Sequence, residues 1–137
     1  MKKIKEVSKI AGVSIRTLQY YDNEGLTNLH RTKDNHRLYQ KKDLEQIWKI
    51  LILKEMNFEI KEIKEILILT PNKQNAYLKK RKEEMKKEIK ELKKEIKFIE
   101  WINSNNFPIL PNIPLPISYK EYILNLKDTM IKEVKEK

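Results

Sequence analysis

Residues 11–26 read AGVSIRTLQYYDNEGL, and in this stretch two glycines bracket a short segment of mixed apolar and polar side chains. Gly12 provides the backbone freedom that a tight turn needs after a first helix. Ser14 is a good N-cap, so the sequence predicts a second helix over residues 15 to about 23. Two short helices joined at a glycine are typical of a helix-turn-helix, whose second helix enters the major groove of DNA.

The predicted second helix carries side chains of two kinds. Ile15 and Leu18 can pack inward with one of the two adjacent tyrosines. The remaining polar side chains are free to face a groove. The DNA contacts predicted at this helix are Ser14, Arg16, Thr17 and Gln19, together with whichever tyrosine does not pack inward. A small helical core with an ordinary polar face is the alternative, and this helical pair alone does not exclude it.

A basic, turn-rich segment follows at residues 29–44, LHRTKDNHRLYQKKDL. Its RLY sequence suits a short strand, so the segment predicts a β-hairpin wing in which Asn35 takes a left-handed turn position. The wing side chains predicted to contact DNA are Arg31, Lys33, Arg37 and Tyr39. We interpret His36 as a turn residue rather than a metal ligand.

Two apolar stripes at helical spacing come next and predict a third and a fourth helix that build the core under the recognition helix. The stripe of the third helix is Leu44, Ile47, Trp48 and Leu51, and that of the fourth is Ile60, Ile63, Ile66 and Leu67. Trp48 is thus expected in the core. The DNA-binding head is predicted to occupy residues 1–70, with Pro71 ending the fourth helix.

A charged segment over residues 74–103 contains a seam of apolar residues in four-three alternation, the pattern of a coiled coil. The seam is Leu78, Met85, Ile89, Leu92, Ile96 and Ile99, with Lys82 and Asn103 at two further seam positions. Such a helix hides one narrow stripe and is marginal alone, so it predicts a dimer. A single helix packed on its own head is the alternative.

The end of the chain divides into a proline-rich strap, residues 104–117, and a short helix within residues 118–137. Ser118 and Glu121 form a capping box at the start of that helix. Aromatic residues precede it. Phe98, Trp101 and Phe107 could line a pocket for an apolar or cationic organic effector, or could equally pin the helix end to the head of a partner.

Composition limits the function classes. The formal net charge of +10 suggests a polyanionic partner, although a Lys-rich surface alone locates no site. No cysteine is present, which excludes disulfides and thiolate metal sites, and no cofactor is indicated. We find neither a set of catalytic groups nor a phosphate-binding glycine loop, so an enzyme is not predicted. The N-terminus lacks a signal-peptide core and no long apolar run occurs, so we expect a cytoplasmic protein without a membrane partner.

Three of these segments together resemble the winged helix-turn-helix domain of MerR-type bacterial transcription regulators. The resemblance covers roughly residues 3–70 and joins AGVSIRTLQYYDNEGL, NHRLYQKKDLEQI and LKEMNFEIKEIKEIL in the family's order. Where the family usually has Arg, this chain has Gln19, and Asn35 with His36 replaces the usual Gly-Tyr before the wing arginine. Metal-sensing members have cysteines near the end of the dimer helix, and this chain has none.

The resemblance implies a mainly α-helical homodimer whose long helices pair antiparallel. Such proteins bind a near-palindromic promoter, then bend and untwist it so that RNA polymerase can use it. Residue by residue, the match places Arg16, Thr17 and Tyr20 on the recognition helix. It places Arg37 and Tyr39 on the wing, against phosphates, and leaves Tyr21 for the core.

The alternatives to a regulator are an excisionase-like or architectural DNA bender that never engages polymerase, and a basic coiled-coil adaptor. The sequence identifies neither an effector nor an operator.

Overall fold

The computed structural model describes residues 1–112 and 116–135. Over these residues the chain is mainly helical with one small sheet, as predicted. The elements in chain order are β1 Lys2–Lys3, α1 Ile4–Ala11, α2 Ile15–Asn23, β2 His30–Arg31, β3 Arg37–Tyr39, α3 Lys41–Glu55, α4 Ile60–Leu67, α5 Pro71–Asn105 and α6 Tyr119–Lys135. They fall into two compact units, Met1–Tyr77 and Leu78–Lys137.

The turn between α1 and α2 is built from short-range hydrogen bonds. Gly12 has a φ of 72°, and its N–H donates to the Ser8 carbonyl at 2.9 Å. No atom lies near the position of a Cβ at Gly12, so the left-handed backbone, rather than lack of space, favours glycine there. Ser14 Oγ accepts a hydrogen bond from the Thr17 N–H at 3.0 Å, which caps α2 as predicted.

The wing is a three-stranded antiparallel sheet of order β1-β3-β2. Asn35 has a φ of 63°, and its N–H donates to the Thr32 carbonyl at 2.9 Å, which confirms the predicted hairpin turn. Sequence analysis did not predict β1, in which Lys2 pairs with Tyr39. A two-residue strand has no alternation to detect, and only the pairing defines it.

The core of the first unit is formed by apolar side chains from α1 to α4 and β3. Ile47, Ile63 and Ile66 are each at most 2% exposed, as the predicted stripes require. Phe58, in the turn between α3 and α4, is 1% exposed and adds an aromatic ring to this core. The α1 helix contacts α2, α3 and the strands β1 and β3, and it therefore places α2 and the wing on a common support.

Trp48 does not join that core, which corrects one expectation. Its side chain is 68% exposed, because the buried face of α3 is formed by Asp43, Ile47, Ile50 and Leu53. At about 100° per residue, Trp48 lies on the opposite side of the helix. Apolar residues occur on all sides of α3, so the sequence pattern alone did not identify the face that meets α4.

The long helix α5 begins at Pro71, earlier than the expected residue 74. Proline fits this first helical position because its missing N–H has no acceptor there, and Thr70 Oγ1 accepts from the Lys73 N–H at 3.4 Å. The Tyr77 ring packs on Phe58 at 5.9 Å between centroids, so the first two turns belong to the head. None of the residues of α5 is buried.

The α6 helix begins as predicted, with Ser118 Oγ accepting from the Glu121 N–H at 3.1 Å. The predicted strap, residues 104–117, is shorter at its start because α5 continues to Asn105. Residues 113–115 of the strap and the last two residues of the chain lie outside the described residues.

Candidate nucleic-acid interface

The α2 helix presents a polar face opposite its buried one. Leu18 and Tyr21 are 1% and 5% exposed and hold the helix in the core, whereas Tyr20 is 48% exposed and Arg16 is also exposed. Arg16 and Tyr20 are four residues apart, so they share one face of the helix. Gln19 is half-buried beside them. The exposed pair therefore offers a cationic and an aromatic group on one surface.

Ser14 and Thr17 have a local role at the start of α2. Their hydroxyl oxygens are 2.9 Å apart and hydrogen-bonded, while Ser14 also caps the helix. Both hydroxyls are thus engaged within the protein, although either oxygen retains acceptor capacity. Of the five residues predicted to contact DNA from α2, these two also stabilise the helix terminus that positions the others.

A single carboxylate joins α2 to the wing. Asp22 lies near the end of α2, and its Oδ2 accepts from Arg37 Nε at 3.0 Å and from Arg31 Nη2 at 3.1 Å. Its Oδ1 accepts from Thr27 Oγ1 at 3.3 Å. The side chains of Asp22 and Arg37 are only 12% and 17% exposed, and Arg31 is more open at 37%.

This cluster fixes the wing relative to the recognition helix and keeps positive charge on its surface. Two guanidinium groups share one carboxylate, so the cluster retains a net charge of about +1. Arg37 Nη2 also reaches Asn23 Oδ1 at 3.5 Å, a second link to the end of α2. Sequence analysis predicted both arginines but missed Asp22, because its partners lie 9 and 15 residues further along the chain.

The tip of the wing is polar and open. Lys33 is exposed in the hairpin turn, and Arg31 Nη1 donates to the Asn35 carbonyl at 3.4 Å. The His36 N–H donates to Thr32 Oγ1 at 3.1 Å, consistent with its interpretation as a turn residue. Across the described parts of the chain, no group of three or more His, Asp or Glu residues could hold a metal ion.

Tyr39 is in the core, which corrects the expectation that it faces a phosphate. Its side chain is 1% exposed, and burial raises the pKa of its hydroxyl, so the ring is neutral. The hydroxyl is buried without a hydrogen-bond partner among the described residues. Arg37 and Tyr39 lie on the same side of β3, so strand alternation did not distinguish them. They differ in their neighbours, because Tyr39 pairs with Lys2 of β1 whereas Arg37 pairs with Arg31 of β2.

We expect Tyr39→Phe to leave DNA affinity unchanged and to preserve or raise the melting temperature. A buried hydroxyl without a partner costs about 1 to 3 kcal/mol, and phenylalanine removes that group without creating a cavity. Calorimetry and titration of duplex DNA would check both parts. A loss of DNA affinity with an unchanged melting temperature would instead restore the phosphate contact to Tyr39.

The two other predicted sites lie on α5 and after it. The seam residues Met85, Ile89, Leu92, Ile96 and Ile99 are 47% to 60% exposed, and Leu78 is half-buried. In the second unit, Phe98 and Phe107 line a cavity of about 800 Å³. Trp101 is half-buried but is not part of that lining. The structure thus brings two of the three predicted aromatic residues together.

The chain has the parts of a winged helix-turn-helix protein of the kind that reads duplex DNA. These parts are a capped recognition helix, a basic wing fixed to it by ion pairs, and a long helix with an apolar seam. Residues 2–68 match the family model described as MerR HTH family regulatory protein. The chain therefore belongs to the MerR family, which confirms the resemblance seen in the sequence.

Similar proteins agree with this assignment. The HTH-type transcriptional activator mta of Bacillus subtilis strain 168 is 44% identical over 81 residues, which cover 58% of this chain and 32% of that protein. HiNmlR, a MerR family regulator lacking the sensor domain and bound to promoter DNA, is 27% identical with a TM-score of 0.52. That match covers 74% of this chain and 86% of HiNmlR.

PbrR691 from Ralstonia metallidurans CH34, solved in complex with lead(II), shares the fold with a TM-score of 0.66 at 22% identity. The match covers 80% of this chain and 91% of that one. The present chain spans about a third of the length of the first curated relatives it matches. Within residues 1–112 and 116–135, no helix has both the length and the hydrophobicity needed to cross a bilayer.

Proposed function

We propose that the chain is a homodimeric transcription regulator that binds promoter DNA sequence-specifically through α2 and the wing. The observation that carries the proposal is the exposed pair Arg16 and Tyr20 on a recognition helix to which Asp22 fixes a basic wing. Arg16 is assigned to base edges, and Lys33 with Arg31 to phosphates. HiNmlR, which is similar over most of its length, is bound to promoter DNA.

The proposed dimer forms through the seam of α5. Its exposed apolar residues need a cover, and a second copy of the same helix provides one. Over its 35 residues α5 is roughly 50 Å long, which is enough to hold two heads about 34 Å apart, one turn of duplex, if the helices pair antiparallel. Two heads at that spacing match a near-palindromic operator.

Regulation is proposed to act through the shape of the promoter, as the family resemblance implies. The dimer would bend and untwist the DNA, and RNA polymerase would respond to that distortion without being held by the protein. Such a regulator works in the cytoplasm and needs no cofactor for the contacts described. An effector would act by changing the angle between the heads.

The experiment that tests the proposal starts from an operator selected in vitro out of random duplexes. Footprinting on that operator, placed between promoter elements, is combined with transcription by purified polymerase. A specific footprint with changed transcription supports the regulator. A footprint without any change in transcription contradicts it in favour of a DNA bender, and absence of any footprint favours a coiled-coil adaptor.

Two variants that each remove one positive charge separate base reading from phosphate binding. Lys33→Ala is expected to weaken specific and random duplex equally and to lower the salt slope by about one per half-site. Arg16→Ala is expected to cost roughly 1 to 3 kcal/mol per half-site on the operator, with little change on random duplex. Fluorescence titrations at several salt concentrations measure both. Equal losses of affinity on both duplexes for Arg16→Ala would indicate that Arg16 contacts phosphates and not base edges.

A further inference from the structure

The two faces of the wing sheet carry different side chains. Residues that lie directly opposite one another in an antiparallel pair share a face, and successive residues alternate between faces. Arg31 pairs with Arg37, and both turn inward to the carboxylate of Asp22 on α2. His30 pairs with Leu38 in the same ladder, so these two side chains lie on the opposite, outer face. The outer face is therefore separate from the ion pairs that fix the wing to α2.

Both histidines of the chain lie on this outer face. His36 is two residues before Leu38, and the Thr32 N–H donates to the His36 carbonyl at 2.9 Å, which continues the ladder beyond β3. His30 and His36 are therefore diagonal neighbours across the hairpin, roughly 7 to 8 Å apart. Lys3 of β1 pairs with Leu38 and adds a permanent cation to the same side. We call the surface formed by Lys3, His30, His36 and Leu38 the outer wing face.

The two imidazole rings are available to a ligand. His30 and His36 are both exposed. The hydrogen bonds that His36 makes with Thr32 come from its main chain. Within residues 1–112 and 116–135, neither ring has a hydrogen-bond or ion-pair partner. Histidine is the side chain that gains its positive charge between pH 8 and 5, so the outer wing face becomes more cationic over that range.

The charged groups around the wing do not neutralise a protonated histidine. Three carboxylates from α1, α2 and α3 lie close to the sheet, and each has a partner of its own. They are Glu6 with Lys2 at 3.0 Å, Asp22 with the wing arginines at 3.0 and 3.1 Å, and Asp43 with the Gln40 N–H at 2.8 Å. In the hairpin turn, Lys33 and Asp34 are both exposed and have opposite charges. A proton on either histidine therefore adds to the positive charge that the wing presents.

His36 lies close to the part of the wing that is assigned to phosphates. It closes the hairpin turn that holds Lys33, through the pair of hydrogen bonds with Thr32. Duplex DNA carries one negative charge per about 1.7 Å of its axis, so a wing tip on the backbone meets more than one phosphate. A nearby phosphate favours the protonated imidazole, in which both ring nitrogens donate. Binding of DNA and binding of a proton are then coupled.

We propose that His36, with His30 beside it, is a proton-linked phosphate contact, so that the wing binds duplex DNA more tightly as the pH falls. This inference rests on the proposed DNA-binding function and adds a response to pH. The protonated form binds more tightly, so the gain in affinity is complete at low pH and is lost as the pH rises through the range in which the bound histidines lose their protons. By the same linkage, binding of duplex must take up protons from solution.

The first test measures the affinity of the full-length chain for duplex DNA between pH 8.0 and 5.8 at constant ionic strength. The wild-type affinity is expected to rise by roughly threefold to tenfold per half-site, and equally on operator and random duplex because phosphates carry no sequence information. His30→Gln combined with His36→Gln should lose this rise and should match the wild type at pH 8.0. Any pH dependence that the double variant retains belongs to other groups, such as the α-amino group.

A permanent charge provides the second test. His36→Lys should bind at pH 8.0 about as tightly as the wild type does at pH 5.8, and with a weaker dependence on pH. Asn125→Lys is the matched control, since it adds the same charge to an exposed residue of α6 and should keep the wild-type dependence. Calorimetric titrations in buffers of different ionisation enthalpy count the protons directly. Uptake near pH 7 is expected for the wild type and should be absent in the double glutamine variant.

The same pH dependence in the wild type and in the double glutamine variant would overturn the proton-linked contact, while leaving the proposed regulator intact. An affinity that instead rises with pH and loses this rise in EDTA would assign the two histidines to a metal ion, because metal binding requires neutral imidazoles. Absence of duplex binding by the wild type at every pH would overturn the DNA-binding function itself.

Discussion

Replacing both Leu92 and Ile96 by lysine is expected to convert the proposed dimer into monomers with a partly unfolded α5. Both side chains are more than half exposed in the single chain, so the change acts on the interface and not on a core. Burying such side chains contributes roughly 1.5 to 3 kcal/mol each, and the dimer contains four of them. Without a partner, a helix this polar is marginal in water.

Loss of the dimer should also lower the affinity for the operator by roughly 10² to 10⁴ fold, because the second head is no longer held at a high effective concentration near its half-site. Light scattering and gel-shift titrations measure the two effects on the same samples. The control is Glu88→Gln with Glu91→Gln, which changes the net charge by the same amount outside the seam. A lysine double variant that is still dimeric would show that the seam is assigned to the wrong face.

Removing the carboxylate of Asp22 is expected to weaken DNA binding, although it makes the protein more positive. Asp22→Ala leaves the half-buried Arg37 without its main partner and releases the wing from α2. The expected loss in the free energy of unfolding is about 1 to 3 kcal/mol, since the pair is mostly but not fully buried. Binding to duplex DNA must then order the released wing, and this loss of conformational entropy lowers the affinity.

Whether Asp22→Ala weakens or strengthens DNA binding tests the role of Asp22 in positioning the wing. Asp34→Ala removes the same charge from an exposed residue of the wing turn, and it should strengthen binding slightly by reducing repulsion of phosphates. Chemical denaturation and duplex titration of both variants give the comparison. If Asp22→Ala also binds DNA more tightly, Asp22 acts only as a local charge and does not position the wing.

Several features of the head could be predicted because their causes are local. The φ of 72° at Gly12, the hydrogen bond that caps α2 at Ser14 and the left-handed Asn35 each involve atoms within about four residues of chain. Apolar spacing likewise identified α4, where the stripe of Ile63 and Ile66 is confirmed as buried. Backbone preferences of this kind can be predicted from each short segment of sequence by itself.

Other features required the packed structure. Arg16 and Arg37 look alike as basic residues in a DNA-binding head, yet Arg37 is half-buried against Asp22 while Arg16 is exposed. Tyr39 was expected at the surface and is in the core, and Trp48 was expected in the core and is at the surface. In each case the residue type permits both environments.

By itself, then, the sequence determined the order of helices, the two turns, the wing and the apolar seam, because caps, positive φ angles and periodicity depend on neighbouring residues. Only the tertiary structure decided which face of α3 meets α4, that β1 pairs with β3, and that Asp22 holds two arginines from the wing. Those outcomes depend on contacts between residues far apart in the chain. Their energies come from burial and from charge pairing at close range, and neither exists before the segments are packed together.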